Sequence, residues 1–168
     1  MITLDYATMP TPAGPLTIVA GPDGRVRATG FTADVPGLVA LIHPTLRGGE
    51  PRERADLGDV TAKVRSYLDG DLTAIDDVAV HQHTGGVFMA HAWEVMRRIK
   101  AGEPVSYTRF AELSGRPAAV RAAAAACARN AVAFFVPCHR VLRTDQRLGG
   151  YRWGLDVKRW LLDHEARV

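Results

Sequence analysis

Cysteine is almost missing from this chain: Cys127 and Cys138 are the two among 168 residues. Two thiols rule out a disulfide framework and a four-cysteine zinc site, and they suit a reducing compartment such as the cytoplasm. A membrane span is missing too, since no apolar stretch nears the roughly 20 residues one requires. The opening Met1-Ile2-Thr3-Leu4-Asp5-Tyr6 lacks the basic head and apolar run of a targeting signal. There is no internal repeat, and the one biased tract is the alanine run from Ala122 to Ala126. Metal-ligand clusters are lacking as well. His81 and His83 could share one face of a strand, but with no third ligand nearby they read as exposed histidines rather than a metal site. The acids of the first third, Asp5 and Asp23 among them, form no nuclease-like group.

What is present is ordinary in bulk and uneven in distribution. A chain with 47% hydrophobic and 23% charged residues is a globular one, long enough to bury a core as one domain or two small ones. The net charge of +3 conceals a division: residues 1–100 hold ten Lys or Arg against twelve Asp or Glu (−2), and residues 101–168 hold eleven against six (+5). A basic face is either solvated surface or a nucleic-acid contact, and its clustering beside a reactive site favours the second.

The first third reads as an antiparallel meander. Ile2, Leu4 and Tyr6 alternate with polar residues, Pro10 to Pro15 breaks the chain, Leu16 to Ala20 forms a second strand, and Gly21-Pro22-Asp23-Gly24 turns into a third over Arg25–Phe31. Helices are expected over Val35–Ile42 and Ala55–Leu68, and Val78–His81 returns as a strand. Gly85-Gly86 then links a first α/β domain (1–84) to a helical second one (85–168). In the second, Phe88, Ala92, Val95, Met96 and Ile99 mark the buried face of a helix that ends near Gly102.

Val136-Pro137-Cys138-His139-Arg140-Val141 carries the chemistry. A thiol is mostly protonated at neutral pH, so a cysteine that attacks needs a base or nearby cations, and His139 and Arg140 are both at hand. In an extended segment neighbouring side chains point to opposite faces, so His139 would reach Cys138 through a water. An imidazole base in turn needs a partner to fix its tautomer. On the terminal helix, Val157 and Leu161 mark a core-facing stripe, and Glu165 continues it at i+4. A carboxylate there is costly unless paired, so Glu165 is the candidate partner of His139.

Between these elements, Ser106 is a candidate N-cap, Gly115 a left-handed C-cap, and Pro117 opens a helix over Pro117–Ala128. Short helix, glycine turn and second helix outline a helix-turn-helix. The alanines of the second helix have two readings: a strong helix former packed on its neighbours, or small side chains that let the helix press into a DNA groove with Arg121 projecting alone.

At these residues the chain resembles the O6-alkylguanine-DNA alkyltransferases, in register over roughly 85–168 and more loosely through Pro12-Ala13-Gly14-Pro15-Leu16 and Tyr67-Leu68-Asp69-Gly70. Pro137-Cys138-His139-Arg140-Val141 is that family's active-site motif. Gly150-Tyr151-Arg152-Trp153-Gly154, Lys158, Leu161, Leu162 and Glu165 are similar to the methyltransferase domain of the bacterial adaptive-response protein, whose separate sensor domain does not fit in this length. The resemblance implies a ribonuclease-H-like first domain. It also implies direct, stoichiometric repair of O6-alkylguanine, and of O4-alkylthymine as a second substrate, in double-stranded DNA by a monomer without metal or other cofactor, cytoplasmic and nucleoid-associated through DNA. Cys138 would accept the alkyl group, His139 would deprotonate it through a water, and Glu165 would hold the imidazole. Asn130 would brace the turn before the active-site segment, and Tyr107 would pass a proton toward the flipped purine. Arg121 would fill the space left in the duplex, with DNA contacts also from Tyr107, Ala122, Ala124, Ala125 and Arg129. Val141, Tyr151, Arg152 and Trp153 would line the guanine pocket.

The chain departs from the family pattern at Arg129-Asn130-Ala131, where Gly-Asn-Pro is usual, at Ala124 and Ala125 in place of glycines, at Met89 in place of a frequent glutamine, and at Trp153 in place of glycine. A bulky Trp153 in the pocket predicts a preference for methyl over benzyl adducts. Rival readings are a lesion-binding protein of the same fold, which would replace Cys138; a Cys-His hydrolase, which would turn over repeatedly; and a transcription factor, which leaves the cysteine motif unexplained.

Overall fold

A computed structural model describes residues 2–83, 86–143, 145 and 147–166. The expected domain boundary at 84/85, with Gly85 of the linker, lies outside the described residues. Strands β1 (Asp5–Met9), β2 (Leu16–Ala20) and β3 (Val26–Gly30) form the antiparallel meander expected of the first third. Every residue of β2 is buried, because both faces of the sheet are covered. Alternation sends Leu16 and Ile18 to the main core and Val19, with Leu4 and Ala28, to a smaller cluster under Leu38 and Ile42. A bulge where Val19 pairs with Ala28 but Ala20 pairs with Val26 leaves Arg27 as the extra residue. Arg27 is buried and donates from Nη1 to the Leu46 carbonyl at 2.8 Å.

The sheet is mixed, not purely antiparallel. A fourth strand, β4 (Arg52–Glu53), lies parallel to β1 in the order β3-β2-β1-β4. The return from α1 (Val35–Val39) brings the chain back alongside β1, where Arg52 N reaches Leu4 O and Arg54 N reaches Tyr6 O, each at 2.8 Å. Residues 78–81 make one parallel bridge, Val80 to Val26, instead of a full strand. Helix α2 (Asp59–Leu68) starts four residues later than its apolar pattern suggests, because Asp56 Oδ1 accepts from Gly58 N at 2.7 Å and holds the chain in a turn.

The second half runs α3 (Val87–Arg97), β5 (Val105–Ser106), α4 (Tyr107–Leu113), α5 (Val120–Ala128), β6 (Val141–Leu142) and α6 (Leu155–Glu165). Ser106 Oγ accepts from Arg109 N at 3.0 Å and caps α4 as expected. Gly115, at φ +87°, ends it in the left-handed conformation, with Arg116 N bonded to Ala111 O at 3.1 Å. Residues 116–119 form a separate turn, closed by Ala119 N to Arg116 O at 2.9 Å, so α5 begins three residues after Pro117. Helix α5 buries Ala123 and Ala126 and turns Arg121 and Ala128 outward, with Ala124 and Ala125 between them half-buried. The inner face of the alanine run is thus the packed helix of the first reading, and on the outer face Arg121 projects among small side chains. The short parallel pair β5–β6, with Val105 opposite Val141, brings the segment after Cys138 to the start of α4.

One main core joins the halves: Ile18, Val64 and Tyr67 of the first pack with Trp93, Met96, Phe110, Phe134 and Leu161 of the second. Each such side chain contributes about 1.5–3 kcal/mol by leaving water. Among the described residues no helix is long and apolar enough to cross a membrane.

Candidate active site

Cys138 to Arg140 form a single 3-10 turn, not the extended segment that the motif suggests. Pro137 (φ −83°, ψ 68°) starts it, and its carbonyl accepts from Arg140 N at 3.0 Å. Just before the turn Phe134 has φ +83°, a conformation few non-glycine residues adopt. Its ring is buried in an aromatic group with Phe31, Tyr67 and Phe135 that holds it there. Asn130 spans this region: Nδ2 donates to Val136 O at 2.7 Å and Oδ1 accepts from Val132 N at 3.0 Å. Gln82, which sequence reasoning missed, completes the brace. Its Nε2 donates to Asn130 Oδ1 at 3.0 Å and its Oε1 accepts from Ala131 N at 2.9 Å.

His139 Nε2 donates to Glu165 Oε2 at 2.9 Å, with both side chains buried. A carboxylate only accepts, so the proton sits on Nε2 and the neutral ring presents an acceptor lone pair at Nδ1. Nδ1 makes no hydrogen bond to the described residues, which leaves it available as a base. Burial holds the imidazole below its usual pKa, against the pull of Glu165.

Arg140 does not serve the thiol. Its Nε and Nη2 clamp the two oxygens of Glu165 at 2.9 Å each, and Nη1 donates to Ile99 O at 2.7 Å. Burial works against the carboxylate charge of Glu165, but His139 and Arg140 outweigh it and hold Glu165 well below the usual range. Tyr67, also missed in the sequence, adds its hydroxyl to Glu165 Oε2 at 2.7 Å.

Cys138 is 6% exposed and opens on a cavity of about 300 Å³ lined by Tyr107, Ala124, Cys127, Ala128, Tyr151 and Arg152, among others. Burial pushes its thiol up, opposed by a hydrogen bond from Asn130 and by the charges of Lys158 and Arg152. The cations that act on the sulfur are thus Lys158 and Arg152, not Arg140. Lys158 is fully buried, and its Nζ donates to Val141 O at 2.9 Å, Gly150 O at 3.3 Å and Leu148 O. It ties down the loop that walls the cavity, a role hidden in the sequence because a lysine on a helix normally reaches water.

Tyr107 stands at the cavity rim, with its phenol pushed up to about 12 by burial and by the two cysteines. Arg121 is exposed and lines an adjoining groove with Tyr107, Val120, Ala124, Arg143 and Asp145. Arg129 is exposed and Ala122 half-buried at the two ends of α5. Arg152 Nη2 caps that helix at Ala128 O, 2.6 Å away.

Two expected pocket residues lie elsewhere. Trp153 packs over Gly30 of β3, where an added Cβ would come within 2.3 Å of the indole, so the missing side chain at Gly30 draws the ring out of the cavity. Trp153 therefore places no bulk in the cavity that would disfavour benzyl adducts. Val141 is fully buried, its carbonyl taken by Lys158, and it does not line the cavity. His81 and His83 do not converge on a common point with a third ligand: the His83 ring meets His43 edge-on at 4.4 Å, and among the described residues no group of three or more His, Cys, Asp or Glu could hold a metal ion.

The chain is similar to known proteins over nearly its whole length. Residues 87–167 match the family model of the 6-O-methylguanine DNA methyltransferase DNA-binding domain. A methylated-DNA–protein-cysteine methyltransferase of Shigella flexneri is 35% identical over 169 residues, 99% of this chain and 98% of that protein. The bifunctional transcriptional activator/DNA repair enzyme Ada of Escherichia coli is 50% identical over 82 residues, 49% of this chain and 23% of that protein. Among solved structures, Mycobacterium tuberculosis OGT in complex with DNA superposes with a TM-score of 0.79 at 29% identity, covering 96% of this chain and 92% of that one. With such identity across nearly its whole length, the chain belongs to the methylated-DNA–protein-cysteine methyltransferase family.

Proposed function

We propose that this protein repairs DNA by moving a methyl or other small alkyl group from O6 of guanine onto Cys138, once per molecule. The observation that carries this reading is a cavity lined by the Cys138 thiol, whose neighbour in the chain, His139, has its imidazole already oriented by a carboxylate. His139 Nδ1 takes the thiol proton through a water, and the sulfur attacks the alkyl carbon. The carbon–O6 bond breaks, and Tyr107, still a phenol at neutral pH, donates its proton to the departing purine. The product thioether is a poor leaving group, so the protein is consumed. O4-alkylthymine is a second substrate by the same chemistry.

The target carbon lies inside the duplex, so the nucleotide has to rotate out at a cost of about a few kcal/mol. We read α4 and α5 as a helix-turn-helix, with the outward face of α5 against DNA and Arg121 entering the vacated stack. The first-half sheet is the ribonuclease-H-like scaffold of a monomer that acts in the cytoplasm on double-stranded DNA. Arg121→Ala should weaken binding to a lesion duplex and slow flipping, while the rate on a free alkylated base stays unchanged; fluorescence of a 2-aminopurine beside the lesion reads the flipping step.

Intact-mass measurement after incubation with a duplex containing O6-methylguanine tests the reading. One methyl group should appear per protein, on Cys138 and not on Cys127, whose thiol burial pushes up as well. Repeated turnover with an unmodified protein would instead indicate a hydrolase.

A further inference from the structure

The carboxylate behind His139 has one partner that comes from the other half of the chain. Tyr67, near the end of α2, is fully buried and donates its hydroxyl to Glu165 Oε2 at 2.7 Å, the oxygen that also receives His139 Nε2 and Arg140 Nη2. The same residue is held from α6 at its backbone: His164 Nε2 donates to Tyr67 O at 2.8 Å. Its ring stands edge-on to Phe134, with centroids 4.9 Å apart, next to the strained turn that leads to Cys138. A buried tyrosine fixed at ring, backbone and hydroxyl is a rigid donor.

We infer that Tyr67 is a positioning residue of the proton relay, holding the Glu165 carboxylate in the orientation and with the share of charge that His139 works against. This inference rests on the function proposed above. Oε2 divides its lone-pair density among three donors, so the hydrogen bond from Tyr67 draws off part of the charge that would otherwise raise the basicity of His139. The remaining groups that face the pair are Arg140 from the active-site turn, Lys158 from α6, Asp76 from the segment after α2, and Tyr151 from the cavity loop. All of them remain in the chain when the Tyr67 hydroxyl is removed.

The test is Tyr67→Phe, which keeps the ring and deletes the donor, read by an NMR titration of the His139 imidazole and by the single-turnover transfer rate against pH. Without the hydroxyl, Glu165 acts more strongly on His139, and the His139 titration should rise by about one pH unit. The acid limb of the rate profile should move upward with it. A residue that only filled space would leave both unmoved, so an unchanged His139 titration in a folded Tyr67→Phe protein overturns the inference. Should that variant fail to fold, 3-fluorotyrosine placed at position 67 supplies a stronger donor in the same shape. It should move the His139 titration downward, and no movement there overturns the inference equally. The titration does not depend on turnover, so a shifted His139 in a protein that transfers no methyl group would sink the proposed function and leave the role of Tyr67 standing.

Discussion

Cys138→Ala should abolish methyl transfer entirely and leave binding to a lesion-containing duplex within about twofold of the parent. The reaction needs a soft nucleophile on the cavity floor, and no second group there can replace it. Cys127 lines the same cavity, but burial keeps its thiol protonated and it bonds to no base among the described residues. The contacts proposed to hold DNA come from Tyr107 and from α5 and its flanks, and removing the sulfur takes away none of them. Electrophoretic mobility shifts with a methylated duplex, beside intact-mass spectra of the same samples, check both halves of this expectation. Any methylated Cys138→Ala protein would refute the assignment. In the parent, burial keeps the thiol neutral at rest and keeps His139 neutral below the ordinary imidazole range. The transfer rate should therefore hold level through neutral pH and fall only on the acid side, where His139 finally gains a proton.

The pairing of His139 with Glu165 beside Cys138 was legible in the sequence because each partner left a local sign: a short Cys-His motif, and a glutamate on an apolar stripe where an unpaired charge is costly. The caps at Ser106 and Gly115 were legible for the same reason, since each depends on one residue's own hydrogen bond or dihedral. Tyr67, Gln82 and Lys158 left no such sign. Tyr67 reads as one more apolar position of α2, and only the approach of α6 across 98 residues gives its hydroxyl a partner. Gln82 sits among histidines in a segment that pairs weakly, and its two bonds to Asn130 and Ala131 span 48 and 49 residues. Trp153 was misread because its destination is defined by an absence, the missing side chain at Gly30, which pattern reading along the chain cannot connect to it. The parallel strand β4, two residues long, is set by where the returning chain meets β1 and has almost no pattern of its own.

Glu165→Ala should damage stability as much as chemistry. The substitution strands Arg140, 2% exposed, and His139, fully buried, without the oxygen atoms that three of their donors now reach. Removing one member of a buried pair costs about 3–5 kcal/mol, because the partner charge stays desolvated. For a protein of this size that corresponds to a melting temperature lower by roughly 6–20 °C. Transfer should slow by about 10²–10⁴-fold, since His139 loses both its tautomer constraint and the counter-charge for its cationic form. The pH dependence separates this account from simple loss of packing. Glu165 has a folded pKa held below its ordinary value, so its contribution is present above the ordinary carboxylate range and is lost as pH falls through the folded pKa. The gap in stability between parent and Glu165→Ala should therefore be widest near neutrality and narrow in strong acid. His139, whose folded pKa is depressed by burial, makes folding weaker in both proteins once pH drops below the imidazole range, because only the unfolded chain takes up that proton. Urea melts of parent and variant from neutral pH downward give the comparison; a gap that stays constant into strong acid would mean that Glu165 contributes shape and not charge.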